Sequence, residues 1–133
     1  MTPTDFCTLL TAQPGVSAAV GDRVYPVLIP PEVWDSATRK PCFVYRTSGV
    51  GRSATTCGTI RLQADSVEVD CYARTFDDAY ALARLAAQIV DFKGTVGNTS
   101  VDTVRLDSEI DLFDLEPGLY RRSLTFTVWN RSV

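Results

Sequence analysis

A strict alternation of apolar and polar residues over positions 67–74 is the feature that most constrains the fold. Val67, Val69, Cys71 and Ala73 belong to one side of an extended chain, and the polar residues between them belong to the other side. This period of two predicts a half-buried strand in an antiparallel sheet. An alanine-rich segment follows directly, so we expect a helix to pack on the apolar face of that sheet.

The alanine-rich segment over residues 76–92 predicts the main helix. Thr75 is a suitable N-cap, and Asp77 and Asp78 carry negative charge where the helix dipole favours it. With about 100° between successive residues, the polar side chains at positions 77, 84, 88 and 91 fall in one narrow arc. We expect the large remaining apolar surface to be covered by the sheet and by a neighbouring subunit.

The remaining segments predict a single domain, because the chain has 133 residues and neither a linker nor a repeat. The predicted fold class is α+β: a mostly antiparallel sheet of about five strands with two helices, in the order α-β-β-β-α-β-β. In the fourth strand, the apolar residues at positions 104, 106, 110 and 112 are expected on one face. The predicted elements are a helix over 4–12 capped by Thr4, strands over 23–29, 42–48, 60–74, 103–114 and 119–130, and the helix over 76–92.

The segment GVGRSATTCG at residues 49–58 separates two predicted strands. It has three glycines and is too long for a two-residue turn, so it predicts a projecting, mobile hairpin tip. The preceding loop over 31–40 contains Trp34, which either anchors the loop on the core or contacts a partner. We expect subunit or partner contacts from the tip, this loop and the polar arc of the main helix. The residues concerned are Val50, Arg52, Ser53, Thr55, Trp34, Arg84 and Gln88.

The chain has no histidine, which removes Ser-His-Asp catalysis, Cys-His catalysis and imidazole metal sites. Its four cysteines show no C-x-x-C spacing, and only Cys57 lies in a polar stretch. Asp107, Glu109 and Asp111 fit a charged strand face that arginines of the last strand can pair with. We therefore expect no cofactor, metal or catalytic site. A small enzyme that uses the Cys57 thiol or a pair of carboxylates is the alternative from another class.

The charge and hydropathy of the chain argue against two further classes of partner. The sequence carries 13 basic and 16 acidic residues, and its arginines are scattered, so we expect no sequence-specific binding of nucleic acid. It has no run of 18 apolar residues, so we expect no membrane span.

Three blocks of the sequence, in their order and spacing, resemble the tail completion proteins of long-tailed bacteriophages. Residues 9–30 contain a short helix, a turn of small residues and the strand start RVYP at 23–26. The run PCFVYR at 41–46 is similar to the family's proline-led second strand. The run VEVDCYA at 67–73, followed by the alanine-rich helix, is similar to the third block. The longer loop over 31–40 departs from the family pattern.

This resemblance implies a structural role without catalysis. The family is similar to the tail terminator proteins, which form a homohexameric ring that caps the tail tube, stops its polymerisation and joins it to the head. The implied partners are further copies of this chain, the tail tube protein and a head-joining or neck protein. The implied location is the head-proximal end of the virion tail, after assembly in the host cytoplasm. The alternative within the same assembly is a head-closure or neck ring protein.

Overall fold

The computed structural model describes residues 1–30, 40–55, 58–114 and 119–132. In this part of the chain the α+β fold predicted from the sequence is confirmed, with one short helix and one short strand more than expected. The elements are α1 (Pro3–Thr11), α2 (Val16–Val20), β1 (Val24–Pro26), β2 (Cys42–Thr55), β3 (Gly58–Ala73), α3 (Phe76–Ala86) with a 3₁₀ turn (Ala87–Ile89), β4 (Gly94–Val96), β5 (Thr99–Asp114) and β6 (Leu119–Ser132).

The strands form one sheet in the order β1-β2-β3-β6-β5-β4. The four long strands pair antiparallel throughout, as the alternating sequence predicts. β1 instead runs parallel to β2, because a crossover and not a hairpin connects them. β4 lies where the sequence indicated only a turn, and it pairs with the first three residues of β5. Both short strands are at the edges of the sheet.

The main hydrophobic core lies between the helices and one face of the sheet. Val67, Val69, Cys71 and Ala73 are all buried there, which confirms the predicted inward face of β3. The largest fully buried side chains of this core include three phenylalanines, from α1, β2 and β6, so every layer contributes to it. None of the described helices is long and apolar enough to cross a membrane.

The opposite face of the sheet is less polar than the sequence predicted. Asp70 and Tyr72 alternate correctly but are buried, with 0% and 8% of their surfaces exposed. Tyr72 packs in a second apolar cluster with Ile29, Cys42, Val44 and Leu119, which covers one end of this face. Asp70 is buried because two arginines neutralise it: Arg46 at 2.9 Å and Arg121 at 3.4 Å.

The N-terminal segment is fixed to the middle of the sheet. The Met1 ammonium lies 2.6 Å from Oδ2 of Asp65 and 2.9 Å from Oδ1 of Asn130, and both partners are buried. The next residue, Thr2, caps α1 by accepting a hydrogen bond from the backbone N–H of Asp5. The predicted cap at Thr4 is therefore wrong, because the helix begins one residue earlier than its apolar spacing suggested.

The main helix is shorter than the predicted range 76–92. α3 is capped by Thr75 as predicted, and the α-helical part ends at Ala86. A 3₁₀ turn follows, and Asp91 then adopts a left-handed backbone conformation with φ of 64°. The Asp91 N–H donates to the carbonyl of Val104 on β5, so the chain leaves the helix by joining the sheet edge.

A β-bulge at Asp107 reverses the faces of β5. Leu106 lies opposite Phe126 of the core face, and Ser108 lies opposite Thr125 of the other face, so Asp107 is the extra residue. Beyond the bulge, Glu109 shares the helix-covered face with Leu124. The sequence-based prediction that Ile110 and Leu112 continue the buried face of Val104 is therefore wrong. They are exposed on the other side by 55% and 41%.

The hairpin of β2 and β3 is paired further than the sequence suggested. Its strands were predicted over 42–48 and 60–74, whereas pairing continues to Thr55 and Gly58, with two register shifts. β6 pairs with β3 from Ala73 to Gln63, and β1 pairs with β2 only as far as Tyr45. The end of the hairpin is therefore a two-stranded ribbon that extends past the rest of the sheet.

Candidate interaction surface

Four exposed aromatic side chains lie together where the start of α3 approaches the end of β5 and the start of β6. Phe76 and Tyr80 come from α3, Phe113 from β5 and Tyr120 from β6, and between 37% and 48% of each is exposed. The Tyr120 ring lies 6.4 Å from Phe76, edge to face, and 4.9 Å from Phe113, between centroids. These contacts are favourable, yet they leave a large apolar area in water.

Two arginines extend this cluster along the helix. The guanidinium carbon of Arg84 lies 5.2 Å from the centroid of Tyr80, and that of Arg122 lies 5.0 Å from it. Both distances are within the range of a cation–π interaction. Phenylalanine, tyrosine and arginine are enriched at protein–protein interfaces, and tyrosine and arginine often carry much of the binding energy. We call the six residues Phe76, Tyr80, Phe113, Tyr120, Arg84 and Arg122 the aromatic–arginine surface.

Glu109 holds both arginines in place. It accepts hydrogen bonds from Arg84 and from Nε and Nη2 of Arg122, while Asp111 accepts from Nη1 of Arg122 at 2.5 Å. Burial by itself raises the pKa of Glu109, but the hydrogen bonds from Arg122 and Arg84 outweigh it and keep that pKa below its ordinary value. Burial lowers the pKa of Arg122, and the bonds to Glu109 and Asp111 outweigh it, so that pKa is raised. The ion pairs thus fix the orientation of the guanidinium groups.

The bulge in β5 makes this arrangement possible. Without the extra residue Asp107, the alternation read from Val104 onward would place Glu109 on the face away from α3. The bulge residue is itself fixed, because Asp107 accepts hydrogen bonds from the Thr127 hydroxyl and from Arg105 at 2.7 Å. The Thr127 bond lowers the pKa of Asp107 most, burial raises it by less, and the bond and the charge of Arg105 lower it further, so that pKa lies below its ordinary value. A local irregularity of the strand therefore builds the surface.

The aromatic–arginine surface continues onto an open sheet edge. β4 pairs only with Thr99–Val101 of β5, and the last edge contact is the bond from Asp91 to the Val104 carbonyl. Over residues 105–114, no strand in the described ranges pairs with β5 on the side away from β6. Unpaired backbone groups on such an edge are available to an added strand.

Of the interface residues predicted from the sequence, Arg84 and Gln88 have side chains within the described part of the chain. Trp34 lies outside the described residues. Val50, Arg52, Ser53 and Thr55 lie on the backbone of β2 in the hairpin, and their side chains are outside the described part. Arg84 belongs to the aromatic–arginine surface. Gln88 is exposed but donates to the carbonyls of Pro14, at 2.8 Å, and Leu85, so it joins the end of the helix to the turn before α2.

The aromatic members of the surface were missed for an identifiable reason. In the sequence, Phe76 and Tyr80 count as part of the apolar majority of a helix expected to be largely covered. The exposed side of α3 in fact includes both, with Asp77, Ala81 and Arg84. The signal in the sequence was that this helix has many apolar residues and only a narrow polar arc. It indicated that a partner covers a second side of the helix, but it did not identify the residues of that side.

Of the three cysteines in the described ranges, Cys7 is partly buried and Cys42 and Cys71 are buried. Burial raises the pKa of Cys42 to about 12 and that of Cys71 well above its ordinary value, so both thiols stay protonated. Within the same ranges, no group of three or more Cys, Asp or Glu side chains could hold a metal ion. Cys57, the candidate thiol, lies outside them. The surface described above is suited to binding.

Comparisons with known proteins indicate a family and a fold. The model of the family described as tail completion protein gp17 matches residues 5–131. A chain of the solved structure "Virion of native gene transfer agent (GTA) particle" superimposes with a TM-score of 0.75, covering 96% of this chain and 92% of that one. The two are 15% identical, so this likeness concerns the fold alone. No curated protein matches the sequence significantly.

Proposed function

Since this chain belongs to the tail completion protein gp17 family and is a structural protein of the phage tail, not an enzyme, we propose that it acts as a ring. In this proposal about six copies close around a common axis and cap the head-proximal end of the tail tube. The ring stops polymerisation of the tube and provides the surface on which a head-joining or neck protein docks. Its assembly takes place in the host cytoplasm.

The observation that supports this proposal best is the aromatic–arginine surface. Tyr80 is 45% exposed, and its ring is close to two guanidinium groups that Glu109 already orients. A pre-oriented set of aromatic and arginine side chains loses little conformational entropy when a partner covers it. An isolated monomer gains nothing from keeping these rings in water, whereas a subunit of a ring buries them.

The position of this surface favours a ring over a simple dimer. It lies on α3 and on the β5 side of the sheet, while β1 and β2 form the opposite side. A contact between unlike sides of two copies leaves one free side on each, so addition continues until the assembly closes. A contact between two identical surfaces would stop at two copies.

The mass of the assembly tests the ring directly. We expect light scattering after size exclusion, or native mass spectrometry, to find a closed oligomer of about six copies, either for the protein alone or after tail tubes are added. A protein that remains monomeric in both conditions, and that is absent as a ring from assembled tails, would contradict the proposal. Removal of the protein should also give tubes of uncontrolled length, which electron microscopy of infected-cell extracts can measure.

A pair of variants at Tyr80 tests the surface that we assign to the ring. Tyr80→Ala removes the aromatic ring beside Arg84 and Arg122, and we expect at least a tenfold weaker assembly, on the order of the 1.4 kcal/mol or more that a buried aromatic contributes to an interface. Tyr80→Phe keeps the ring and should assemble as the wild type does. Equal assembly of both variants would show that this surface is not part of the interface.

A further inference from the structure

We propose that the open edge of β5 receives, as an added antiparallel strand, the open edge of β2 from a second copy of this chain. Backbone hydrogen bonds between the two edges, as well as side-chain contacts, would then hold the two copies together. The inference deepens the proposed ring and rests on it, because it says which two edges meet. It concerns residues 105–114 of one copy and residues 46–55 of the next.

The β5 edge has the features of a strand acceptor. Beyond the contact of Asp91 with Val104, residues 105–114 have a paired neighbour on the β6 side only, as far as the described ranges extend. Three large apolar side chains stand along this stretch: Ile110, Leu112 and Phe113, exposed by 55%, 41% and 48%. A long edge with exposed apolar side chains is unusual in a chain that remains alone. An added strand would satisfy the backbone and cover these side chains together.

The β2 edge is the matching donor on the opposite side of the molecule. β1 pairs with Phe43, Val44 and Tyr45, and the N–H of Val27 donates to the Tyr45 carbonyl at 2.9 Å. From position 46 to Thr55, no strand of the described ranges pairs with β2 on that side. The free stretch has ten residues, as does the free stretch of β5. The two edges therefore have equal length.

The strand directions fit a ring in which the strands are tilted to the axis. Across one sheet, Arg105 of β5 is level with Gly49 of β2, and Leu112 is level with Cys42. Tilted strands are therefore needed to bring residues 46–55 of the next copy beside residues 105–114. β2, β3, β6 and β5 alternate in direction, so β2 and β5 of one copy run antiparallel to each other. Rotation about the ring axis keeps the direction of each tilted strand along that axis. The β2 edge of the next copy then arrives antiparallel to β5, which is the pairing that the rest of the sheet already uses. The same rotation continues around the ring until the sheet closes.

Charge favours the pairing of β5 with β2 over the pairing of β5 with a second β5 or of β2 with a second β2. Residues 105–114 contain one arginine and four carboxylates, a formal net charge of −3 (1 − 4), and Arg84 and Arg122 from neighbouring elements pair with two of these carboxylates. Residues 47–63 of the hairpin contain Arg52 and Arg61 and no carboxylate. Two β5 edges would bring like charges together, as would two hairpins, whereas the mixed pair brings opposite charges together. Complementary charge acts here mainly on the choice of partner.

Disulfide trapping distinguishes these arrangements. Ser108→Cys on β5 is combined in one chain with Thr47→Cys, Gly51→Cys or Thr55→Cys on β2, in a Cys57→Ser background, so that three registers are sampled. Under mild oxidation of assembled protein, we expect at least one double variant to give a ladder of covalent species up to the closed ring. Each single variant should give no ladder, because the strand that its cysteine faces in the next copy has no introduced cysteine. The readout is non-reducing electrophoresis.

The outcomes separate this inference from the proposed function. If rings form but no double variant gives a ladder, the edge pairing is wrong and the ring stands. If Ser108→Cys alone gives covalent dimers, two β5 edges meet, and the inference is wrong. If no ring forms with or without tubes, the proposed function itself fails. As an independent check, Arg52→Glu should weaken assembly about tenfold, whereas Arg52→Lys, which keeps the positive charge, should not weaken it.

Discussion

Glu109 accepts hydrogen bonds from Arg84 on α3 and from Arg122 on β6, and through them it determines how Tyr80 is presented. On the opposite face, the buried carboxylate of Asp70 joins Arg46 on β2 to Arg121 on β6. Each carboxylate connects elements that are distant in sequence. Their contributions differ, because Glu109 keeps some contact with water while Asp70 has none. Single substitutions at the two positions should therefore be distinguishable.

We expect Glu109→Gln to reduce the pH dependence of stability. The folded pKa of Glu109 lies below its ordinary value of 4.5, so its stabilising contribution is complete above that value and is lost as the pH falls through the folded pKa. The variant should lose about 1–2 kcal/mol at neutral pH and less in acid. Urea unfolding at neutral pH and over a series of pH values that extends well below 4.5 measures the difference. Equal losses at both pH values would contradict this account.

Asp70→Asn should cost more than Glu68→Gln, although both carboxylates bind Arg46. Asp70 is fully buried, so the substitution weakens charged hydrogen bonds that water cannot replace, at a cost of about 1–3 kcal/mol. Glu68 is 29% exposed, and loss of its bond to Arg46 should cost less than about 1 kcal/mol. Chemical denaturation of the two variants gives the comparison. A larger effect at Glu68 would show that burial does not control these ion pairs.

At the scale of the elements, helix caps and one strand irregularity determine which side chains face outward. Thr75 begins α3 so that Phe76 and Tyr80 come to the exposed side of the helix. The bulge at Asp107 moves Glu109 to the face of α3 and moves Ile110 and Leu112 away from it. The aromatic–arginine surface therefore depends on the start of one helix and on one additional residue in one strand.

The cap of α1 provides a matched test at this scale. The Thr2 hydroxyl oxygen accepts the N–H of Asp5 at 3.1 Å, so Thr2→Ala should destabilise the protein by about 1 kcal/mol. Thr4 lies inside the helix and is exposed, so Thr4→Ala should change stability by less than about 0.5 kcal/mol. Thermal unfolding followed by circular dichroism ranks the two. The opposite ranking would favour the cap position predicted from the sequence.

The parts of the fold that follow from periodicity were predictable, and the parts that depend on a local exception were not. Val67, Val69 and Cys71 alternate without interruption, so the sequence alone predicts their burial, and the Thr75 cap is equally clear. The bulge at Asp107 has no such signature in the sequence. Apolar and polar residues alternate through this part of β5, so the pattern alone does not show that one residue is extra. The candidate surface was therefore predictable as an uncovered side of the main helix, with Arg84 as its identified member.

At the scale of the whole molecule, the sheet formed by the described strands has two unlike open edges and a ribbon that extends past it. The β5 edge adjoins the aromatic–arginine surface, and the β2 edge continues into the ribbon. Beyond the pair of Arg52 and Gln63, the ribbon is paired only with itself among the described strands. A two-stranded ribbon adds little to the stability of a domain, so selection for folding alone does not explain its length.

Shortening the ribbon should separate folding from assembly. Replacing residues 53–62 by Asn-Gly joins the paired positions Arg52 and Gln63 through a two-residue turn. We expect the thermal midpoint of the monomer to change by only a few degrees, since about 1 kcal/mol shifts it by about 2–8 °C in a domain of this size. Ring formation and tail completion should be impaired, as measured by mass and by infectious titre.

Two results would contradict this expectation. A shortened protein that assembles and supports infection as the wild type does would mean that the ribbon is only a spacer. A large fall in the thermal midpoint would mean that the ribbon stabilises the domain itself. Substitution of the two glycines at positions 49 and 51 by alanine keeps the length and serves as the control for altered backbone freedom.

The direction of the long strands has a consequence for how a cap can be used. If every copy in the ring has the same orientation, all the basic ribbons emerge at one rim, and all the α3 N-termini, with Asp77 and Asp78, lie at the other. The two rims then differ in both shape and charge sign. Because its two faces differ, such a ring binds a tube in one orientation only and exposes its other face to the next partner. One small chain would then suffice to join two partners that have no surface in common.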